Sequence, residues 1–328
     1  MSTPWRRCGI GGCCLTEARL IEPGKIGVVT VTYNSGPVLQ EFFDSLTAQI
    51  YKNFVLYVVD NASTDQTSEI TRRRTDLPVV LIANAENLGV AEGNNQGIRA
   101  AGTDGCECVL LLNNDTVFPA DFIAQLYAGL DRHRCDMTTG KMYYHDRPDV
   151  LWCAGGHFQP RLGYRARHDG QHQKDVGQYD QPRRVTYVPT CCLLVRRRVF
   201  DRVGLMDSQY FVYSDDVDFL YRCLKQGISL WYVPEAKLWH KVSSLTGGDA
   251  SPFAIRYQTR NAIYFQRKHL PHWLAFYWYS YTQTRSLLAY LLGHNTRSKW
   301  NLRRKAAKDG REIAVNRSEV HGPASLGN

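Results

Sequence analysis

The strongest constraint on the fold is an alternation that fills the first 130 residues. Short, continuously apolar runs are followed by stretches with apolar residues at helical spacing. Ile26 to Thr32 is the first such run, and Leu39, Phe43, Leu46 and Ile50 recur at helical spacing after Pro37. Phe54 to Val59 is the second run. Ser63-Thr64-Asp65-Gln66 has the form of a capping box and predicts a helix from there to Arg74. Pro78 to Ile82, a helix over Gly93 to Ala101, the run Cys108 to Leu112 and a helix marked by Phe122, Leu126 and Leu130 complete the series. Strands that are apolar on both faces need cover on both sides, so this pattern predicts an α/β fold with a mostly parallel sheet between helices. Such sheets bind ligands beyond the carboxyl ends of their strands. The residues at those ends are Tyr33-Asn34-Ser35, Asp60-Asn61, Asn84 to Asn87 and Asn113-Asn114-Asp115.

The second half reads differently. Residues 140–184 are rich in Gly, His, Arg and Asp, and predict a long, irregular, partly mobile region. Val185 to Val195 reads as one strand. Asp215-Asp216-Val217-Asp218 opens a helix with Val217, Leu220, Tyr221 and Leu224 inward, ended by Gly227. Ile228 to Val233 reads as a strand stopped by Pro234.

Charge is unevenly placed in this chain of 328 residues and net charge +9. Between Ser251 and Arg311 there are twelve Lys/Arg and one acid, Asp309, so the remainder is close to neutral. The same stretch holds twelve of the 38 aromatic residues, six of them Trp273, Phe276, Tyr277, Trp278, Tyr279 and Tyr281. That asymmetry predicts an anionic partner, a membrane surface or nucleic acid. Packing of these aromatics on the body or on a second subunit is the other reading, which leaves a homodimer open. A chain 44% hydrophobic and 22% charged is neither disordered nor collagen-like. Its ten cysteines contain no C-x-x-C spacing, which predicts reduced, half-buried thiols in a cytosolic protein. The N-terminus lacks a continuous apolar signal segment, and no apolar run reaches 18 residues, so neither secretion nor a spanning helix is expected.

Three groups of residues could carry chemistry. Asp115, in Asn113-Asn114-Asp115-Thr116, suits Mg²⁺ or Mn²⁺ bridging a diphosphate, or else a turn leading into Pro119. Asp215, Asp216 and Asp218 suit a helix cap, a general base or a metal site. His240 gains meaning only beside another metal-binding residue. Gly89, Gly93 and Gly97 lie four apart, which is not the dinucleotide fingerprint but lets a helix lie close to a sheet.

In order, V-T-Y-N-S (31–35), V-V-D-N-A-S-T-D (58–65), N-x-G-x-x-x-G-x-N (87–95), L-L-N-N-D-T (111–116), D-D-V-D (215–218) and W-H (239–240) resemble family 2 glycosyltransferases of the GT-A fold. Their flavour is that of bacterial rhamnosyltransferase-type enzymes of cell-surface polysaccharide assembly. The resemblance runs from Lys25 to Leu245. It implies that Thr32 and Tyr33 hold the nucleotide base and that Asp60 reads it. Asn34, Asn61, Asn87, Gly93, Asn94 and Asn114 join them on the donor side. Asn113 and Asp115 take the outer positions of the D-x-D motif, with Asp115 on the metal and His240 completing its shell. Asp216 matches the catalytic base, beside Asp215 where Glu is commoner.

The implied reaction is an inverting, single-displacement transfer from a nucleoside-diphosphate sugar to a hydroxyl of a glycan or lipid-linked acceptor. Trp152, Gly155, Gly156, Thr190 and Cys191, with residues 140–184 and 242–250, would shape the acceptor pocket. Arg256 and Arg260 would touch phosphates or remain solvated charges. The implied organisation is a leader (1–24), a catalytic domain (25–250, with a nucleotide half to 118 and an acceptor half from 119), a basic, aromatic helical region (251–312) and a tail (313–328). The implied place is the cytoplasmic face of a membrane, peripherally attached, with no nucleic-acid partner. Two rivals stand beside this. A sugar-nucleotide nucleotidyltransferase would need a basic residue within Val31 to Pro37, which has none. A non-catalytic nucleic-acid-binding protein would use the basic C-terminal region.

Overall fold

The computed structural model describes residues 24–241 and 251–315. The expectations for the leader up to residue 23, for 242–250 and for the tail from 316 lie outside the described residues. In chain order the elements are β1 (Ile26–Thr32), α1 (Gly36–Thr47), β2 (Phe54–Asp60), α2 (Thr67–Arg72), β3 (Val79–Ala83), α3 (Gly89–Thr103), β4 (Cys108–Leu112), β5 (Thr116–Val117) and α4 (Phe122–Arg132). Then come β6 (Met137–Tyr144), β7 (Leu151–Cys153), β8 (Gly156–Gln159), β9 (Arg165–His168), β10 (Arg183–Val185), β11 (Cys192–Arg196), α5 (Arg197–Val203) and α6 (Asp215–Lys225). The chain continues through β12 (Leu230–His240), α7 (Pro252–His269), α8 (His272–Leu291) and α9 (Arg297–Glu312).

The sheet runs β10-β12-β6-β11-β4-β1-β2-β3, with β5 on β12 and β7 on β6. Strands β4, β1, β2 and β3 are mutually parallel. Beyond β4 the sheet is mixed, because β11 runs antiparallel to both neighbours. Both faces are covered, which is why the first strands are apolar throughout. Ile26, Val28, Leu56 and Leu110 pack under α1 and α4, while Val29, Tyr57, Val109 and Leu111 face the other way, toward α3. Helix α3 lies so close to β1 that a Cβ at Gly93 or Gly97 would come within 2.8 Å of Val31 or 2.3 Å of Val29.

Several local expectations change. The helix after Ser63 starts at Thr67, because Ser63 turns its hydroxyl to Asp60. Asp65 instead caps two helices, accepting from the Thr67 N–H and from the Gly36 N–H, both at 3.0 Å. Ile50 falls outside α1 and is exposed. The run Val185 to Val195 is not one strand: β10 sits at the sheet edge, β11 at its centre, and Thr186 to Cys191 crosses between them. Pro189 has no N–H to give a central strand. Pro234 fails to stop β12, which passes it by a register shift between Val233 and Lys237. Region 140–184 carries five strands or parts of them, and Lys141, wholly buried on β6, anchors the loop before β10 by pairing with Asp175 (2.9 Å) and Asp180.

On α6 the buried stripe is Asp218, Phe219, Leu220, Tyr221, Arg222 and Cys223, with Leu224 exposed. Two charged residues enter the stripe because they pair with each other, Arg222 Nε to Asp218 at 2.8 Å. Seven cysteines among the described residues are free and buried. Helices α7 and α9 pack tightly: a Cβ at Gly310 would meet the Arg260 carbonyl at 2.3 Å. Helix α8 buries only Ala275 and Ser286. No helix among the described residues is long and apolar enough to cross a membrane.

Candidate active site

The ends of β1, β2 and β4 and the start of α6 open on one cavity of about 1590 Å³. Its wall includes Thr32, Tyr33, Asn61, Asn87, Asn94, Asn113, Asn114 and Asp115, then Trp152, Thr190, Cys191, Asp215, Asp216 and His240. Fourteen residues proposed from sequence therefore share one space. Asn34, Asp60, Gly93, Gly155 and Gly156 lie off its wall, each for a structural reason. The Asp60 carboxylate is buried and occupied by the hydroxyls of Thr32, Ser63 and Ser68. Asn34 Oδ1 accepts from the Thr64 N–H at 2.8 Å, tying two loops. Gly93 abuts Val31, and a Cβ at Gly155 or Gly156 would strike Val185 or the Arg167 carbonyl.

One end of the site is built by a strand pairing that sequence spacing does not show. Thr116 and Val117 of β5 pair with His240 and Trp239 of β12. This brings His240 Nε2 to 3.0 Å from Asp115 Oδ1. The Trp152 ring meets His240 edge-on at 4.5 Å. An oxygen and an imidazole nitrogen, both nearly buried, are a donor pair that a divalent cation accepts, with phosphate oxygens filling its remaining positions. Among the described residues no third His, Cys, Asp or Glu joins them, so the pair fits a cation held jointly with a diphosphate.

The opposite end is the start of α6. Asp215 and Asp216 are adjacent and withdrawn from water. Burial, then the neighbouring Asp216 charge, pushes the Asp215 carboxyl up to about 8. Burial also raises Asp216, against the hydrogen bond from Tyr187. Tyr187 Oη donates to Asp216 Oδ2 at 2.7 Å, and the Val217 N–H donates to Oδ1 at 2.7 Å. Asp218 behaves oppositely. Although burial opposes it, Arg222, His269 and Lys268 hold this carboxyl well below the usual range. Three adjacent acids thus divide into two that face the cavity and one that serves the interior.

The segment before α6 is strained: Phe211, Tyr213 and Ser214 all have φ near +60° (64°, 63° and 63°). Asn261 of α7, fully buried, reaches the carbonyls of Tyr210, Val212 and Tyr213 with one amide group (3.0, 2.8 and 2.8 Å). Arg260 donates to the carbonyls of Gln209 and Tyr210, and Arg256 lies 3.8 Å from Asp309. Neither arginine lines the cavity, so the phosphate contacts expected of them are replaced by structural ones.

Sequence reasoning missed Tyr187, because it lay inside a run read as one strand. The proline two residues later was the available signal. A break there makes 186–191 a loop at strand ends, where ligand-facing residues collect.

The profile described as Glycosyl transferase family 2 matches residues 27–204. The chain is 28% identical over 270 residues to an N-acetylglucosaminyl-diphospho-decaprenol L-rhamnosyltransferase of Mycobacterium tuberculosis, covering 76% of this chain and 86% of that one. It is 26% identical over 259 residues to the dTDP-rhamnosyl transferase RfbF of Shigella flexneri, covering 75% and 81%. Among solved structures, GalNAc-T7 with UDP, GalNAc and Mn²⁺ superposes with a TM-score of 0.61 at 14% identity, over 89% of this chain and 57% of that one.

Proposed function

The chain belongs to glycosyl transferase family 2, and on that footing we propose that it moves a rhamnose-type sugar from a nucleoside diphosphate to a hydroxyl of a lipid-linked glycan, with inversion. Family membership sets aside the nucleotidyltransferase and nucleic-acid-binding alternatives. The observation that carries the reading is that Asp216 and the Asp115–His240 pair line the same cavity. A sugar donor and a lipid-linked acceptor of the kinds these relatives use are what such a cavity would hold.

Asp216 is the base. Burial raises both carboxyls, and the hydrogen bonds from Tyr187 and the Val217 N–H favour the charged form at Asp216. Tyr187 and the Val217 N–H fix both carboxylate oxygens in orientation while leaving each a free lone pair. A base whose acidity is weakened by burial takes a hydroxyl proton more readily near neutral pH. Thr32, Tyr33, Asn61, Asn87, Asn94, Asn113 and Asn114 form the donor wall, and Trp152, Thr190 and Cys191 the acceptor wall. Asp115 and His240 would hold Mg²⁺ or Mn²⁺, whose chemistry is to stabilise charge on the departing diphosphate.

Turnover of a panel of nucleotide sugars, with Mg²⁺, Mn²⁺ or EDTA, tests this. Release of nucleoside diphosphate from one donor, abolished by Asp115→Ala and lowered about 10²–10⁴-fold by Asp216→Asn, is expected. Full activity in Asp216→Asn sinks the assignment of the base.

The same reading puts the protein peripherally at the cytoplasmic face of an anionic membrane. Support comes from α8, where Trp273, Phe276 and Leu291 are exposed, and from the basic α9 beside it. Flotation with anionic liposomes is expected at low salt and weaker at high salt; no flotation at low salt removes this part.

A further inference from the structure

The cavity is larger than one ligand needs. Its volume of about 1590 Å³ exceeds the roughly 300–1,000 Å³ of an ordinary small-molecule pocket. Past the paired acids its wall continues along the turn between β8 and β9 and along one stripe of α8. Trp278, Tyr281, Thr282 and Arg285 follow i, i+3, i+4, i+7 spacing, and all four line the cavity. The turn rests on that stripe: a Cβ at Gly163 would come within 2.9 Å of Trp278 Nε1. Gly163 has φ +66°, which suits a residue without a side chain there.

Three arginines stand on this arm: Arg161, Arg165 and Arg285. All are exposed, and none has an ion pair among the described residues. By contrast Arg196, Arg198 and Arg222, outside the cavity, are matched to the carboxylates of Asp131, Asp136 and Asp218. Unpaired cations converging on one concave wall focus a positive field and attract an anion. Two further groups on this wall, Trp278 Nε1 and Gln266 Oε1, are buried without a hydrogen-bond partner. Helical spacing turns the other side of α8 away from the cavity, and there Trp273, Phe276, Leu287 and Leu291 are exposed. One helix therefore offers arginine and indole on one side and hydrocarbon-compatible surface on the other.

We propose that this arm is the binding site for the diphosphate of a polyisoprenoid-linked acceptor. Arg161, Arg165 and Arg285 hold the diphosphate, Trp278 and Tyr281 flank it, and the isoprenoid chain leaves over the apolar side of α8. The assignment rests on the transferase reading, since it lets the glycan hydroxyl point from the diphosphate toward Asp216. The donor's own diphosphate is the other source of such an anion, and the experiment separates the two.

The probe is farnesyl diphosphate, titrated calorimetrically into the full chain with dTDP at saturation. Wild type is expected to bind it. Arg161→Gln and Arg285→Gln are each expected to weaken it about tenfold, as for loss of a charge-assisted hydrogen bond, while leaving dTDP affinity unchanged. Farnesol and inorganic pyrophosphate are each expected to bind more weakly than the joined molecule. Both arginines are exposed and unpaired, so the variants keep the fold, which circular dichroism verifies. Absence of farnesyl diphosphate binding, its displacement by dTDP, or equal affinity in wild type and variants overturns the proposal. Arginine-dependent farnesyl diphosphate binding in a chain that does not bind dTDP supports this site and removes the donor half of the transferase reading.

Discussion

The two walls of the cavity are held up in different ways. On the side formed by the ends of β1, β2 and β4, supports come from neighbouring strands. Asn114 donates to the Val31 carbonyl at 2.7 Å, and Asp60 collects the hydroxyls of Thr32, Ser63 and Ser68. These are mostly neutral, short-reach contacts dictated by a parallel sheet. On the side formed by α6, its preceding segment and the β8–β9 turn, supports come from the helices that follow the sheet. Asp218 is gripped by Lys268 at 3.0 Å and His269 at 2.7 Å, Asn261 reaches back to residues 210–213, and Gly163 abuts Trp278. The first wall is a by-product of the sheet. The second is an assembly of buried charges and amides that α7 and α8 deliver.

The sharpest way to break this comparison is to remove one support from each wall. Lys268→Met leaves Asp207 and Asp218 buried beside a missing cation. A loss of about 3–5 kcal/mol is expected in chemical denaturation. Ser68→Ala removes one of several hydroxyls on Asp60, with an expected cost of about 1 kcal/mol. Equal losses would mean that the two walls do not differ in kind.

Tyr187→Phe sharpens the comparison at a single atom. The Tyr187 hydrogen bond lowers the Asp216 carboxyl against the effect of burial. Its loss therefore raises that carboxyl, and the base stays protonated to higher pH. The acid limb of the rate–pH profile is expected to move to higher pH, with the rate above that limb changed less. An unmoved limb would separate Tyr187 from the base.

Asp215 bears on stability alone. Its carboxyl, raised from 3.8 to about 8, keeps a proton in the folded chain that the unfolded chain has released. Stability contributed by this group therefore falls as pH rises through that window. Asp215→Asn removes the dependence, so thermal melts of variant and wild type are expected to coincide near pH 4 and to part by several degrees at pH 8, the variant being higher. A gap at pH 4 as large as at pH 8 would contradict the sign.

The same contrast explains what was legible in the sequence. β4 runs from Cys108 to Leu112 as its apolar run suggested, and the ends of β1, β2 and β4 reach the cavity, because period and sheet geometry suffice to place them. Asp215 and Asp216 were found as an acidic cluster, but their separation in role from Asp218 was not. That separation depends on Lys268 and His269, and spacing along the chain says nothing of which distant cation meets which acid. Pro234 misled for the same reason, since Gly140 on the neighbouring strand makes room for the bulge: a Cβ there would meet the Ala236 carbonyl at 2.3 Å. The stripe of α8 was hidden by aromatic residues on both its sides, and only the β8–β9 turn lying against Trp278 reveals which side faces inward.

The clamp that Asn261 places on residues 210–213 has a bearing on how the protein comes into being. Chains emerge from the ribosome amino end first. Every strand of the sheet is available before α7 has left the tunnel, yet the left-handed run ahead of α6, touched until then by α3 at Phe211, lacks its Asn261 clamp. A nascent chain therefore owns its architecture before it owns its chemistry, and the protein becomes competent only with its last helices.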